Sequence, residues 1–370
     1  MNSLSREERD ALRDSVRRLL ADASTESAVR AVMETDTGFD PALWKSLAEM
    51  GVVGLVIDEA HGGSGVGPME LEAVMEEAGA ALLCSPLLAS GVLAAEFLRV
   101  LGDGQASDRL LPAIASGETI ATVALTGDSG SWTEDGLAVT ATGGGDGWRL
   151  DGRASYVLHG QNADALIVLA KTDDGTAAFT VDAGSAGIEV QPLPTFDHTL
   201  RLAAVNFSGA AADRLQGAIP AWDAARAAMD LALVALAGEQ AGGAQRVLDF
   251  TVEYAKTRIQ FGRQIGSFQA IKHMAADLLL ETESAISAAR DAAEKLARGG
   301  DRVAEAVSLA AFACADAFVK TAADGIQMHG GIAFTWEHPA HLYLKRARAD
   351  AQLFGTPAHH RERYLQAMGG

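Results

Sequence analysis

The sequence predicts an α+β chain in three parts: an all-helical segment over residues 1–118, a β-barrel or sandwich over 119–217, and a four-helix bundle over 218–370. Three observations carry this reading. The first part is a run of amphipathic, capped segments spaced for helices. The second alternates short β-branched and apolar runs with Asp-Gly pairs. The third holds segments of roughly thirty residues or more with no internal proline, the pattern of long packed helices.

Taken in order, Ser5–Ala21 is amphipathic. Asp40-Pro41 ahead of Ala42-Leu43-Trp44 is an N-cap with proline at the first helical position. Glu70–Ala80, Pro86–Leu101 and Ser107–Ser116 continue the helical pattern, and Gly62–Pro68 is a loop between two of the helices. Strands are expected at Thr119–Thr126, Leu137–Thr142, Ala165–Ala170, Ala177–Val181 and Leu200–Phe207. Turns are expected at Asp135-Gly136, Asp146-Gly147, Asp151-Gly152 and Asp174-Gly175. Helices then return at Ala221–Thr257, Phe268–Arg298, Arg302–His329 and Pro339–Phe354. Gly242-Gly243 inside the first of these costs helix propensity and points to close helix packing.

The 370 residues are 48% apolar, enough for large cores, with 30 basic against 49 acidic side chains and a net charge of −19. That balance argues against nucleic acid, which needs a basic footprint, and against anionic membrane surfaces. The acid is uneven: residues 1–118 carry −11, 119–217 carry −7 and 218–370 only −1. An anionic ligand therefore meets least repulsion in the last part. Cys84 and Cys314 have neither disulfide density nor metal-ligand spacing. No secretory signal is visible at Met1–Glu8. Apolar runs such as Leu231–Gly238 fall short of the roughly 20 residues a membrane span needs. The expectation is a soluble cytoplasmic protein that binds no metal.

Gly143–Gly147 and Gly62–Gly67 fit neither a dinucleotide nor a phosphate-loop pattern; the former reads as a surface hairpin. The segment Arg258-Ile259-Gln260-Phe261-Gly262-Arg263-Gln264-Ile265-Gly266-Ser267-Phe268-Gln269 joins two long helices, with Ser267 a candidate N-cap. It reads either as a plain turn with a solvated arginine or as a diphosphate site, where helix N–H groups and a guanidinium converge. Gln327-Met328-His329-Gly330-Gly331 ends another helix, its glycines allowing close approach of a ligand. His329 stands as either a structural histidine or a base.

These two motifs and the zone order resemble the acyl-CoA dehydrogenase family over nearly the whole chain. Glu59–Gly65 is similar to the family's E-x-x-G-G-x-G loop, and Leu111–Glu118 to its L-P-x-(apolar)-A-x-G-E segment. The resemblance implies an acyl-CoA dehydrogenase-like fold and FAD-dependent oxidation of an acyl-CoA thioester to the 2,3-enoyl-CoA, with an electron-transfer flavoprotein as acceptor. It implies that Arg258, Gln260, Phe261, Phe268 and Gln269 contact the ADP half of FAD. Gln327, Gly330 and Gly331 would contact an ADP half bound mainly by a neighbouring subunit.

The departures are as informative. Where many members place a catalytic glutamate before Gly-Thr, this chain has Phe354 ahead of Gly355-Thr356. Where others place it in an E-R pair on the long helix, it has Ala232-Leu233. Glu239 is the candidate substitute base; Asp230 points about 200° away around the helix, and Glu337 matches a packing segment. The family's T-E-P-x-x-G-S-D loop aligns with Thr126–Ser131, and its (W/F)-I-(T/S)-N segment with Tyr156-Val157-Leu158-His159, so the residues that cradle the reactive ring are lost. This asymmetry resembles the non-base subunit of α2β2 bacterial acyl-CoA dehydrogenases acting on steroid side-chain CoA thioesters, in which a dehydrogenase-like partner carries the glutamate. The alternatives are a self-sufficient homotetramer using Glu239 and a flavin-free structural homologue.

Overall fold

The computed structural model describes residues 3–144 and 147–369; the turn expected at Asp146-Gly147 lies partly outside them. Helices come first: α1 (Arg6–Ala23), α2 (Glu26–Met33), α3 (Pro41–Glu49), α4 (Pro68–Ala80), α5 (Ala95–Leu101) and α6 (Gly104–Ala115). Seven strands follow: β1 (Ala121–Ala124), β2 (Val139–Gly144), β3 (Gly147–Leu158), β4 (Ala165–Thr172), β5 (Gly175–Asp182), β6 (Ile188–Pro192) and β7 (Leu202–Arg214). Then come α7 (Ala221–Thr257), the two-residue strands β8 (Ile259–Gln260) and β9 (Arg263–Gln264), α8 (Gln269–Arg298), α9 (Val303–His329), α10 (Ala340–Asp350) and α11 (Pro357–Ala367). The expected order of helices, strands and helices holds. The chain forms two compact units, one of Val32–Gly67 and Cys84–Ala232, the other of Leu4–Ala31, Pro68–Leu83 and the residues from Leu233 onward.

In the first unit the sheet closes on itself. β4 pairs with β2, β2 with β3, β3 with β7, β7 with β5, and β5 returns to β4; β1 runs parallel to β4 and β6 lies on β7. Closure pairs β2, β3, β4, β5 and β7 into a ring that encloses an apolar core including Leu150, Leu166, Val168, Phe179 and Val205. The Asp174-Gly175 turn joins β4 to β5 as expected, Thr172 pairing with Gly175. Asp151-Gly152 does not turn the chain. It sits inside β3 at a register shift, with Gly152 at φ +125° and the Asp151 carboxylate accepting from Gly209 N at 2.8 Å. The extra residue at this shift is Gly209 of β7, at φ +61°, so the bulge lies on β7 and the Asp151 carboxylate holds it from across the pair. Asp40 caps α3 by accepting from Ala42 N. The Pro86–Leu101 helix is π-helical over Leu88–Ala94 before α5 begins. α6 starts earlier than expected, because Asp103 accepts from Ala106 N and so caps it.

In the second unit three long helices pack with the shorter α10, and α11 adds a further helix against α9. α10 stops at Asp350, short of the expected Phe354. The contact between α4 and α7 is unusually close. A Cβ on Gly242 would lie 1.8 Å from Glu76 O, on Gly79 1.9 Å from Glu239 O, and on Gly238 2.7 Å from Glu72 O. The paired glycines thus let two backbones touch, as the sequence suggested. α9 is long and apolar enough in composition to cross a membrane, although the uninterrupted apolar runs predict no such segment. Its Ala306, Val307, Ala310, Cys314, Phe318 and Ala322 are instead buried, with α8, α10 and α11 packed on the helix.

Candidate functional site

The ADP-site candidates fall in the second unit, on two neighbouring chain segments. α7 ends at Thr257, and the next residues fold back as a two-residue hairpin. Ile259 pairs with Gln264 and Gln260 with Arg263, and the turn residues Phe261 and Gly262 both have positive φ, +53° and +75°. Two positive φ values in succession make the turn whose twist matches a hairpin. Gly262 adopts this freely, whereas Phe261 is a non-glycine exception and is 93% exposed. Arg258 O accepts from Ile265 N at 2.9 Å, which closes the loop's base.

Phe268, not Ser267, is the N-cap of α8, and no side chain caps that helix. The Ser267 hydroxyl donates backwards to Gln264 O at 2.6 Å, which corrects the expected cap. The first-turn N–H groups of a 30-residue helix are therefore left for an outside acceptor. Phe268 packs edge-to-face on Phe261 at 6.1 Å, with the Arg263 guanidinium 4.0 Å over its ring. Arg258, Gln260 and Gln269 are exposed. Arg258 makes no side-chain hydrogen bond or ion pair among the described residues. The hairpin thus brings Arg258, Gln260, Phe261, Phe268 and Gln269 together.

The second segment is the end of α9. Gln327, Gly330 and Gly331 are exposed. Gly330 has φ +69°, but Gly331 has no positive φ, and a Cβ there would meet nothing within 4 Å. Nothing in this chain's own fold requires glycine at 331, so its bare backbone fits the close approach of an outside group. The ledge rests on His329, which is buried and whose Nδ1–H donates to Gly325 O at 2.7 Å. Its ring stacks on Tyr254 with centroids 4.4 Å apart, and Tyr254 OH donates to His329 O. Phe250 and His338 complete the packing, at 5.5 and 4.4 Å. Burial holds His329 below the usual imidazole range, so it is neutral and serves as a support. Tyr254 lies one turn before Arg258 and so links the two segments. This supporting cluster was not read from the sequence; its signal is the aromatic spacing Phe250–Tyr254 along one helix face.

The chemistry of this donor set suits a diphosphate–nucleoside group: a free guanidinium, uncapped helix amides, neutral amides, an exposed aromatic ring and a glycine ledge.

The customary base positions are apolar and buried. Phe354 is 2% exposed and is held at φ +59°, and Ala232 is fully buried. Glu239 is buried too, but its carboxylate is ion-paired to the guanidinium of Arg346, which also reaches Leu83 O. In the first unit, the loop aligned with T-E-P is fastened by Asp128, which accepts from Ser155 Oγ and Arg153 Nε. The Leu158 side chain is buried, and Leu158 O accepts from Thr122 Oγ1 at 2.7 Å. Tyr156 stands at a bulge with φ +56°.

One further carboxyl in the second unit is chemically unusual. Glu72 is 3% exposed, and its Oε1 has no hydrogen-bond partner among the described residues. Burial first, then the neighbouring Glu76, pushes its pKa up to about 7 against the partial relief of Arg290, Arg13 and Arg9. A carboxyl raised in the folded state stabilises least when ionised. Its contribution is intact below about pH 4.5 and is lost as pH rises to about 7. Glu72→Gln is expected to raise stability by up to about 3 kcal/mol at pH 8 and to change little at pH 4.5. Chemical denaturation at the two pH values measures this; equal effects at both would refute it.

Comparison with known proteins shows the family. Residues 6–118 match the model of the acyl-CoA dehydrogenase N-terminal domain, and residues 222–369 that of the acyl-CoA dehydrogenase C-terminal domain. The chain is 37% identical over 352 residues to acyl-CoA dehydrogenase IpdE2 of Mycobacterium tuberculosis, covering 95% of this chain and 94% of that one. It is 33% identical over 326 residues to acyl-CoA dehydrogenase FadE27 of the same organism, covering 86% of each. Among solved structures, a chain of the ChsE4-ChsE5 complex from M. tuberculosis superposes with a TM-score of 0.90 at 31% identity, over 100% of this chain and 99% of that one. With the fold, the helix-end motifs and relatives matching along nearly their full lengths in agreement, the chain belongs to the acyl-CoA dehydrogenase family, whose members are FAD-dependent oxidoreductases.

Proposed function

We propose that this chain is the non-base subunit of a heteromeric acyl-CoA dehydrogenase, binding FAD jointly with a dehydrogenase-like partner. The complex, an α2β2 assembly, oxidises an acyl-CoA thioester of the steroid side-chain class to the 2,3-enoyl-CoA. The observation that carries this reading is a contrast within one chain. The first amides of α8 carry no side-chain cap and Arg258 no side-chain bond among the described residues, whereas both customary base positions hold buried apolar side chains, Phe354 and Ala232. Similarity to a chain of the ChsE4-ChsE5 complex supports a paired arrangement.

FAD, when bound, supplies the two-electron acceptor for the β-hydrogen. This chain's residues hold and orient it. Arg258 offers a bidentate donor to the diphosphate, the first amides of α8 add to it, and Gly330-Gly331 give a flat seat to a second nucleoside half. Phe354 and Ala232 present no proton acceptor, so α-proton removal falls to a carboxylate of the partner. An electron-transfer flavoprotein would reoxidise the complex.

Co-expression with a dehydrogenase-like partner is expected to give a yellow complex on gel filtration, and the chain alone a flavin-poor species. Arg258→Ala is expected to lower flavin affinity of the complex by roughly 10- to 100-fold, the worth of one charge-assisted contact. Flavin absorbance after desalting reads it out. A yellow, active homotetramer of this chain alone would overturn the proposal.

A further inference from the structure

Among the buried polar side chains of the second unit, Gln240 and His360 face one another's helices with atoms left unbonded among the described residues. Gln240 on α7 is 2% exposed, and its Oε1 has no hydrogen-bond partner among the described residues. His360 on α11 is 2% exposed, and neither ring nitrogen has one. Leaving such groups unbonded costs about 1–3 kcal/mol each, so a partner is expected. Both side chains line the same small cavity, together with the buried Asp350 on α10. The space open there to a water molecule's centre is about 10 Å³, room for one water and too little for a chain of them. Cavities walled only by Leu and Ala stay dry; one with three polar walls does not.

We propose that this cavity binds one ordered water, which bridges Gln240 and His360 and so ties α7 to α11 beside the Phe354-Gly355 turn. The chemistry is balanced. The amide oxygen of Gln240 accepts one water proton. A neutral imidazole either donates an N–H to the water oxygen, the second water proton then pointing to the Asp350 carboxylate, or accepts that second proton itself. Neutrality follows from the setting: burial first, then His359 and Arg363, push His360 down to about 3 against the opposing pull of the Gly355 backbone. The facing groups from the other elements are Gln240 and Asp350.

The location gives the water a job. Leu233 and Gly355 line the same cavity, so it adjoins both places where the family's base would stand. Phe354 holds φ +59°, a strained value for a non-glycine residue that persists only when its surroundings over-determine it, and Gly355 follows at +123°, which glycine adopts freely. Gly355 is also crowded: a Cβ there would lie 2.7 Å from the His359 ring and 3.1 Å from His360 Nε2. A water anchoring His360 fixes the first turn of α11 and, through it, the turn that seats Phe354.

A crystal structure of the full-length chain, or of its complex, at a resolution that shows ordered solvent is the direct test. One isolated peak about 2.7–3.2 Å from Gln240 Oε1 and from a His360 nitrogen is expected. A dry cavity, or a direct Gln240–His360 hydrogen bond that closes it, would overturn the proposal. Thermal melts of Gln240→Leu, His360→Phe and the double variant test the bridge independently. Each single change is expected to lower Tm by about 3–10 °C, with the double variant no worse than the poorer single, because one shared water is lost once. Additive losses would show two unconnected groups.

Discussion

Gly242→Ala lowers the melting temperature of the chain by about 5 °C or more, whereas Gly104→Ala leaves it unchanged or slightly raised. Both glycines lie in helices, and alanine there gains up to about 1 kcal/mol of propensity. What differs is the space each methyl group would enter. At Gly104 it meets nothing within 4 Å, so the propensity gain stands. At Gly242 the new carbon would lie 1.8 Å from Glu76 O, a backbone atom that no rotamer change can move. Relief requires α4 and α7 to separate by more than an ångström. The same contact is locked reciprocally, since Gly79 meets Glu239 O and Gly238 meets Glu72 O. Separation thus strips packing from the whole crossing. Overpacking of a tight core costs about 1–3 kcal/mol and more where the backbone must shift. The clash outweighs the propensity gain. Differential scanning calorimetry of the two variants decides it; equal Tm values would show that the crossing can relax.

Much of this architecture was legible because its causes are local. Asp40-Pro41 announces a capped helix whatever else the chain does, and Gly242-Gly243 in an otherwise strong helix former announces a close approach. Asp174-Gly175 turns the chain as expected; Asp151-Gly152 has the same letters and runs straight on inside β3, opposite the bulged Gly209 of β7. The pair specifies a positive φ, and only strand pairing decides whether the chain then reverses or continues. The site divides along the same line. The hairpin of Arg258, Gln260 and Phe261 is local, so its residues could be named together from the sequence. Glu239 could not be judged that way, because its partner Arg346 lies 107 residues on. Nor could Glu72, whose arginine neighbours come from α1 and α8.

That distant pairing sets the expected result for Glu239→Gln: a large loss of stability, with turnover per folded complex retained. Arg346 is 4% exposed and its guanidinium bonds Glu239 in the core of the second unit. Removing the carboxylate's charge breaks a buried ion pair from one side, which typically costs about 3–5 kcal/mol. Replacing both partners by apolar side chains of similar volume removes the charge as well as the bond. Glu239→Leu combined with Arg346→Met is therefore expected to recover most of the loss or to exceed the parent. A catalytic base would behave oppositely. A carboxamide there would abolish proton removal and spare the melting curve, and the double apolar variant would be dead. Thermal melts, with kcat measured on the folded, flavin-loaded fraction, separate the two. An unchanged Tm with kcat down by about 10³-fold or more would make Glu239 the base and return the chain to the self-sufficient class. A fallen Tm with kcat intact, restored by the double variant, leaves the carboxylate to be supplied by another subunit.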